Sequence, residues 1–488
     1  MATLAVAGPL LVLLYSVHQL VGARMGDFRP VLNDEVYYWH QIATAAAAGT
    51  GGGYYTTHEA LPAVNAFRFG AHGPVYPLLA GAIASLVGWH RAAGPWLNMA
   101  WLAIGTTGFI ALARPSRRQL ALTAALLATF WPIPFWAASN MQESFHHGVA
   151  LLLAGALVAV AARRRAGLIT GWSVLTVAVL IRPSWAIVLP VLGIAGLHRR
   201  TWPRLAAVGL VSVALAAVAI TVFDRIRAPL PGAFEFLSLA RLDEGLAAIV
   251  ATARANVGRL FNVGDDYDAL EILLRAEYLA AATAFAVLAV TARRRARATP
   301  DERLHLATQS LQLVGIVTAM IVFYAVTNWA EHRVIAGHLL LATLVAGVAG
   351  GAPGAWLAGA LVATNVLASP IYAESFRQNR SENLLWDRRS LRVFEEAIDG
   401  RIEFHPGAPP WCNTLLTSQY PPDLVALPPG IGISVIREAK FMTLPVRSRY
   451  LLLDTRVQGE LEGHARLMPF ASVAYGTLYL NLDARCPP

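Results

Sequence analysis

About eleven apolar runs, separated by short loops that carry much of the arginine, constrain this chain more than any other feature. They cover residues 2–22, 93–113, 119–138, 145–162, 167–181, 184–197, 205–223, 276–292, 305–327, 334–348 and 355–369. A helix needs roughly 20 apolar residues to cross a bilayer, and lipid offers no partner to an unbonded backbone group. A series of such runs therefore reads as a bundle of spanning helices. Composition agrees: 56% of the residues are hydrophobic and 14% charged, against the roughly 25% charged of an ordinary soluble domain. The run 167–197 is either two spans or one long span kinked at Arg182-Pro183. The first run lacks a basic start and an evident small-residue cleavage site, so it reads as a retained span.

The arginines orient the bundle. They cluster at Arg114, Arg117 and Arg118, at Arg163 to Arg165, at Arg199, Arg200 and Arg204, and at Arg293 to Arg297. Loops rich in Lys and Arg stay in the cytoplasm. All four clusters fall inside if the amino terminus is cytoplasmic and the apolar segment 74–89 is an interfacial or re-entrant helix. On this reading the net charge of +9 reports topology, not binding to nucleic acid. The stretches 24–92, 139–144, 224–275 and 328–333 then lie outside, as does everything after residue 369.

The chain divides accordingly into a transmembrane domain, 1–369, with a first outer loop at 24–92, and an extracytoplasmic α/β domain, 370–488. The second part mixes a helical stretch at 383–399 with β-rich runs at 432–436, 449–453 and 471–482. It holds both cysteines, Cys412 and Cys486. These form one disulfide in an oxidising compartment or remain two buried thiols.

Ionisable residues beside a hydrophobic layer are costly and tend to be functional. Four groups share the outer face. Asp34 and Glu35 precede Tyr37 and Tyr38 in Asn33-Asp34-Glu35-Val36-Tyr37-Tyr38-Trp39-His40. Arg68 and His72 lead into the segment 74–89, Glu143 sits in the short second outer loop, and Glu331-His332-Arg333 opens a late span. Singly, each has an ordinary use: arginines snorkel to headgroups, and acids cap helices. Together on one face they suit group transfer from a phosphate-activated donor. A carboxylate takes the proton of an attacking hydroxyl, and an arginine fork steadies the departing phosphate better than a lysine does. The tyrosines offer faces to sugar rings, or form an interfacial belt. Asp34, Glu35, Glu143 and His72 could ligate a divalent cation, though none has a spacing that demands one. No Gly-rich nucleotide loop of the GxxxxGKS kind occurs.

These residues resemble the GT-C class of membrane glycosyltransferases, which includes protein O-mannosyltransferases and lipid A aminoarabinose transferases. Asp34-Glu35 follows the first span. His72-Gly73-Pro74-Val75-Tyr76-Pro77-Leu78-Leu79 is similar to that family's His-Pro-Pro-Leu-Tyr segment. Ile181-Arg182-Pro183-Ser184 follows, and Glu331-His332-Arg333-Val334-Ile335 is similar to its late Arg-Tyr-Leu-Leu-Pro turn. Gly73 replaces a family proline, and the late turn lacks the family's Tyr and Pro. The resemblance spans roughly residues 2–369. It implies inverting transfer of a single sugar from a polyprenyl-phosphate donor to an envelope acceptor (glycan, lipid or protein) at the outer face of a bacterial cytoplasmic membrane. It also implies Asp34 as base, with Glu35 the alternative, and Arg333 on the donor phosphate, assisted by Arg68 and His332. His72, Glu143, Tyr37, Tyr38 and Glu331 would line the pocket. A transporter or flippase, or a ligase acting on lipid-linked glycans, is the other reading. A transporter would place charge near span midpoints.

Overall fold

The computed structural model describes residues 2–30, 33–53, 55–57, 72–197, 201–226, 246–261, 269–294, 329–381, 387–419, 421–436, 445–461 and 463–486. Helix α1 (Ala2–Val21) leads through a short connecting segment to α2 (Asn33–Ala48). The first turn of α2 carries Asp34 and Glu35, acids that suit the positive end of a helix. Strand β1 (Tyr55–Thr57) follows, then α3 (Val75–Val87) and α4 (Ala93–Ala113). Helix α4 stops at Arg114, whose φ of 52° is left-handed. Ser116 then starts α5 (Arg117–Thr129) with a capping box: its Oγ accepts the Gln119 N–H while Gln119 Oε1 accepts the Ser116 N–H.

The single span expected over 119–138 is instead two helices, α5 and the short α6 (Pro132–Ala137). Pro132 and Pro134 lack the N–H that would continue the ladder. After α7 (Glu143–Ala161) and α8 (Arg165–Ile181), Arg182-Pro183 breaks the chain again, into a 3-10 turn (Pro183–Val188) and α9 (Leu189–Gly196). Helices α10 (Trp202–Ile226), α11 (Leu246–Phe261), α12 (Ala269–Arg294), α13 (Trp329–Ala349), α14 (Gly351–Leu367) and α15 (Ser369–Ser381) complete the helical part.

Among the described residues four helices are long and apolar enough to cross a membrane: α1, α4, α7 and the 202–223 part of α10. They become five if α14 and α15, bent by 54° at their junction, count as one broken span. The expectation of about eleven is not met among these residues. The run 305–327 lies outside them, and prolines shorten others. Helix α3 has 13 residues, about 20 Å of rise, too little to cross a hydrocarbon core of about 30 Å alone.

Helix α7 is the buried axis of the bundle, enclosed from Glu143 to Val160 by α4, α8 and α13. Glycines let α4 and α7 meet backbone to backbone. A Cβ on Gly105 would lie 2.7 Å from the Gly148 Cα, and one on Gly155 would lie 2.9 Å from the Phe109 Cα.

The carboxy-terminal part is a six-stranded sheet, ordered β1-β3-β2-β4-β6-β5. Strands β2 (Thr414–Thr417), β3 (Gly432–Val435) and β4 (Tyr450–Leu453) run parallel, while β5 (Leu467–Val473) and β6 (Gly476–Asn481) add an antiparallel edge. Helices α16 (Arg388–Ile398) and α17 (Thr455–Leu461) accompany it. Cys412 and Cys486 are joined by a disulfide. One strand comes from elsewhere: β1, from the segment between α2 and α3, pairs in parallel with β3. Helix α2 joins the same core, where Val36 and Tyr37 pack with Phe394, Leu415 and Ile433. His40 Nε2 donates to the Ile431 carbonyl at 2.6 Å, and Thr44 Oγ1 accepts the Gly430 N–H at 3.1 Å. The segment between α1 and α3 and the α/β domain thus share one core.

Candidate active site

Five segments far apart in sequence bring charge to one place: the first turn of α2, the turn before α3, the start of α7, the Arg182-Pro183 break and the start of α13. Successive residues on a helix point about 100° apart, so the neighbours Asp34 and Glu35 have different fates. Asp34 faces the late helix. Its Oδ2 accepts from Arg333 Nη1 and Nη2, both at 3.1 Å, and lies 3.5 Å from His72 Nε2. Glu35 is fully buried, and its Oε1 accepts the Asn140 N–H at 2.9 Å, pinning the loop before α7 to α2. Gly94 makes room for that loop, because a Cβ there would collide with the Asn140 side chain.

Glu143 opens α7, where a carboxylate complements the helix dipole. Its Oε1 accepts Arg182 Nη2 at 2.7 Å and lies 3.8 Å from Arg333 Nε. Arg182 also donates through Nη1 to the Arg333 carbonyl at 3.4 Å. Two carboxylates and two guanidinia therefore interlock, with Glu143 between the arginines. The Glu143 side chain is only 1% exposed, whereas that of Asp34 is 27% exposed. Burial raises the Asp34 pKa, but the hydrogen bond and charge of His72 and the charge of Arg333 outweigh it and hold the carboxyl well below the usual range. Tyr38 rests against His72, with ring centroids 5.3 Å apart, and edge-on against Tyr76. Burial, with the charges of Asp34 and Glu143, pushes its phenol pKa up, so it stays a donor.

A polar layer lies behind the cluster. Trp185 Nε1 donates to His146 Nδ1 at 3.0 Å, its ring sits 4.2 Å from that of His338, and His338 Nε2 lies 3.2 Å from Ser184 Oγ. Glu143 Oε2, Ser144 Oγ and His146 Nε2 are buried with no hydrogen-bond partner among the described residues.

Of the residues singled out in the sequence, Asp34, Arg333, His72, Glu143 and Tyr38 come together. Glu35 serves the neighbouring loop, and Tyr37 turns into the α/β core. Arg68 lies outside the described residues, and for Glu331 and His332 only the backbone is described. Arg182 is the member that reasoning on outer-face charge passed over. Its signal was the proline after it, which ends α8 and frees the guanidinium to turn toward Glu143. Among the described residues no group of three or more His, Cys, Asp or Glu is arranged to hold a metal ion. Asp34 and Glu143 are instead engaged by arginines.

Fold and site define a bundle with helices of membrane-spanning length, in which the first turn of α2, the turn before α3, the start of α7 and a late helix build an acid–arginine cluster. No protein-family model and no curated protein matches the chain. Two solved structures are similar to it along nearly its whole length, crystal structures of ArnT from Cupriavidus metallidurans. The apo form is 14% identical, covering 98% of this chain and 97% of its own, with a TM-score of 0.42. The form bound to undecaprenyl phosphate is 13% identical, covering 99% and 98%, again with a TM-score of 0.42. A likeness of that degree leaves function to the chemistry of the site.

Proposed function

We propose that this chain is a glycosyltransferase of the bacterial cytoplasmic membrane. It moves one sugar from a polyprenyl-phosphate donor to an envelope acceptor on the outer face. The observation that carries the reading is the meeting of Asp34 with Arg333, beside Glu143 and Arg182. A base and phosphate-binding forks are the two functions such a transfer needs from protein side chains.

The acceptor hydroxyl attacks the anomeric carbon from the face opposite the lipid phosphate. A carbon–oxygen bond to the acceptor forms as the carbon–oxygen bond to the phosphate breaks, which inverts the centre. Asp34 takes the hydroxyl proton, and the leaving phosphate keeps the bonding electron pair. Arg333 stabilises its developing charge through a planar fork. Glu143 holds Arg333 and Arg182 in register, and Tyr38 and His72 wall the side nearest α3.

Transfer of labelled sugar from a panel of polyprenyl-phosphate sugars by the purified protein tests this reading. Transfer from one donor supports it. Saturable binding of a lipid-linked sugar with no transfer from any donor favours the transporter or ligase instead.

A further inference from the structure

Arg333 presents two hydrogen-bonding edges, and a carboxylate stands at each: one is hydrogen-bonded, the other in ion-pair contact. Its Nη1 and Nη2 converge on Asp34 Oδ2, and its Nε points toward Glu143 Oε1, 3.8 Å away. A phosphate that binds the Nη pair in bidentate fashion has to displace Asp34, and one that approaches the Nε edge meets the buried Glu143 carboxylate. The two carboxylates are not equally replaceable. Glu143 is 1% exposed and is also held by Arg182 at 2.7 Å, so drawing it away would strand a buried charge on each side. Asp34 is 27% exposed, and its other described contact, His72 Nε2 at 3.5 Å, can stay beside it when Arg333 leaves. The Asp34 edge yields first.

We propose that Asp34 and the lipid phosphate compete for the same Nη edge of Arg333, so that arrival of the donor moves the fork from carboxylate to phosphate and releases Asp34 to act as base. The inference rests on the reading of the site as a lipid-phosphate glycosyltransferase. Its consequence is an order of events: an acceptor hydroxyl meets a carboxylate released from Arg333 only after the donor is seated. Glu143 and Arg182 are positioning residues in this exchange. They keep the Nε edge and the Arg333 backbone in place while the other edge changes partner.

The inference makes an unusual demand: removing the base should strengthen binding of the lipid phosphate. The test is the affinity of the full-length protein for a polyprenyl phosphate carrying no sugar, measured by native mass spectrometry. Wild type, Asp34→Asn, Arg333→Lys and the double variant are compared. Asp34→Asn should bind roughly fivefold more tightly than wild type, the scale of a partly exposed ion pair. In the Arg333→Lys background, which keeps the charge but loses the fork, the same change should gain less than about twofold. Equal or weaker binding by Asp34→Asn would overturn the exchange. So would an undiminished gain in the Arg333→Lys background, because charge repulsion alone would then explain it. If wild type shows no saturable binding while folded, the lipid-phosphate reading itself falls and the exchange falls with it. Elution and melting profiles confirm folding, and Asp34→Ser replaces Asp34→Asn should the latter not fold.

Discussion

Asp34 Oδ2 accepts both terminal nitrogens of Arg333 at 3.1 Å, closing a gap of 299 residues in sequence. Helix α2 and a late helix thereby share one ion pair, and the α/β domain stands behind it. Helix α2 turns Asp34 toward the bundle and Val36, Tyr37 and His40 into the core beneath the sheet. Displacing that domain would displace the carboxylate.

Arg182→Ala leaves Glu143 buried without its 2.7 Å partner. The expected cost is about 3 kcal/mol. The double variant Arg182→Ala/Glu143→Gln, which removes the stranded charge as well, should melt at a higher temperature than Arg182→Ala alone. Thermal melting of the purified variants checks this; simple addition of the two losses would contradict it.

His40 provides a pH test. Burial pushes its pKa down to about 4, the hydrogen bond to Ile431 offsetting this only in part. When α2 separates from the domain, His40 regains its ordinary value of about 6.5 and takes up a proton in acid. The contact is therefore fully stable above about pH 6.5 and weakens as pH falls toward 4, by on the order of 2–3 kcal/mol. Melting curves between pH 7.5 and 4.5 should show the loss, and His40→Gln should flatten it. An equal slope in His40→Gln would assign the acid sensitivity elsewhere.

The Cys412–Cys486 bond closes a loop of 74 residues around most of the sheet. Chain entropy alone then gives the cross-link a worth of about 4 kcal/mol. Reduction should sensitise residues 387–486 to protease before the helical part is touched. Unchanged protection of the sheet under reductant would show that the strands hold without it.

Much of this arrangement is legible in the sequence, because charge beside apolar runs is conspicuous: Asp34, His72, Glu143 and Arg333 all stand out that way. What hides is direction. Adjacent residues on α2 diverge by about 100°, so nothing in the order Asp34-Glu35 or Tyr37-Tyr38 says which member faces the site. Strand β1 hides because three residues after a glycine-rich turn have no periodicity to read. Hydropathy also misreads 119–138, since Pro132 and Pro134 interrupt a run whose apolar character is continuous. Arg182 shows in the sequence as half of an Arg-Pro break and in the Ile181-Arg182-Pro183-Ser184 segment, but neither points to its partner Glu143, 39 residues away.

The most direct test of the account is sugar transfer by Asp34→Asn beside wild type, using the one polyprenyl-phosphate sugar that wild type accepts. Asp34→Asn should lose at least a hundredfold in turnover, the lower end for a general base, while staying folded and still binding the lipid phosphate. Turnover within a fewfold of wild type would contradict this expectation. Were Glu35→Gln the inactive variant instead, the base would be the buried neighbour and the ion pair with Arg333 a structural one.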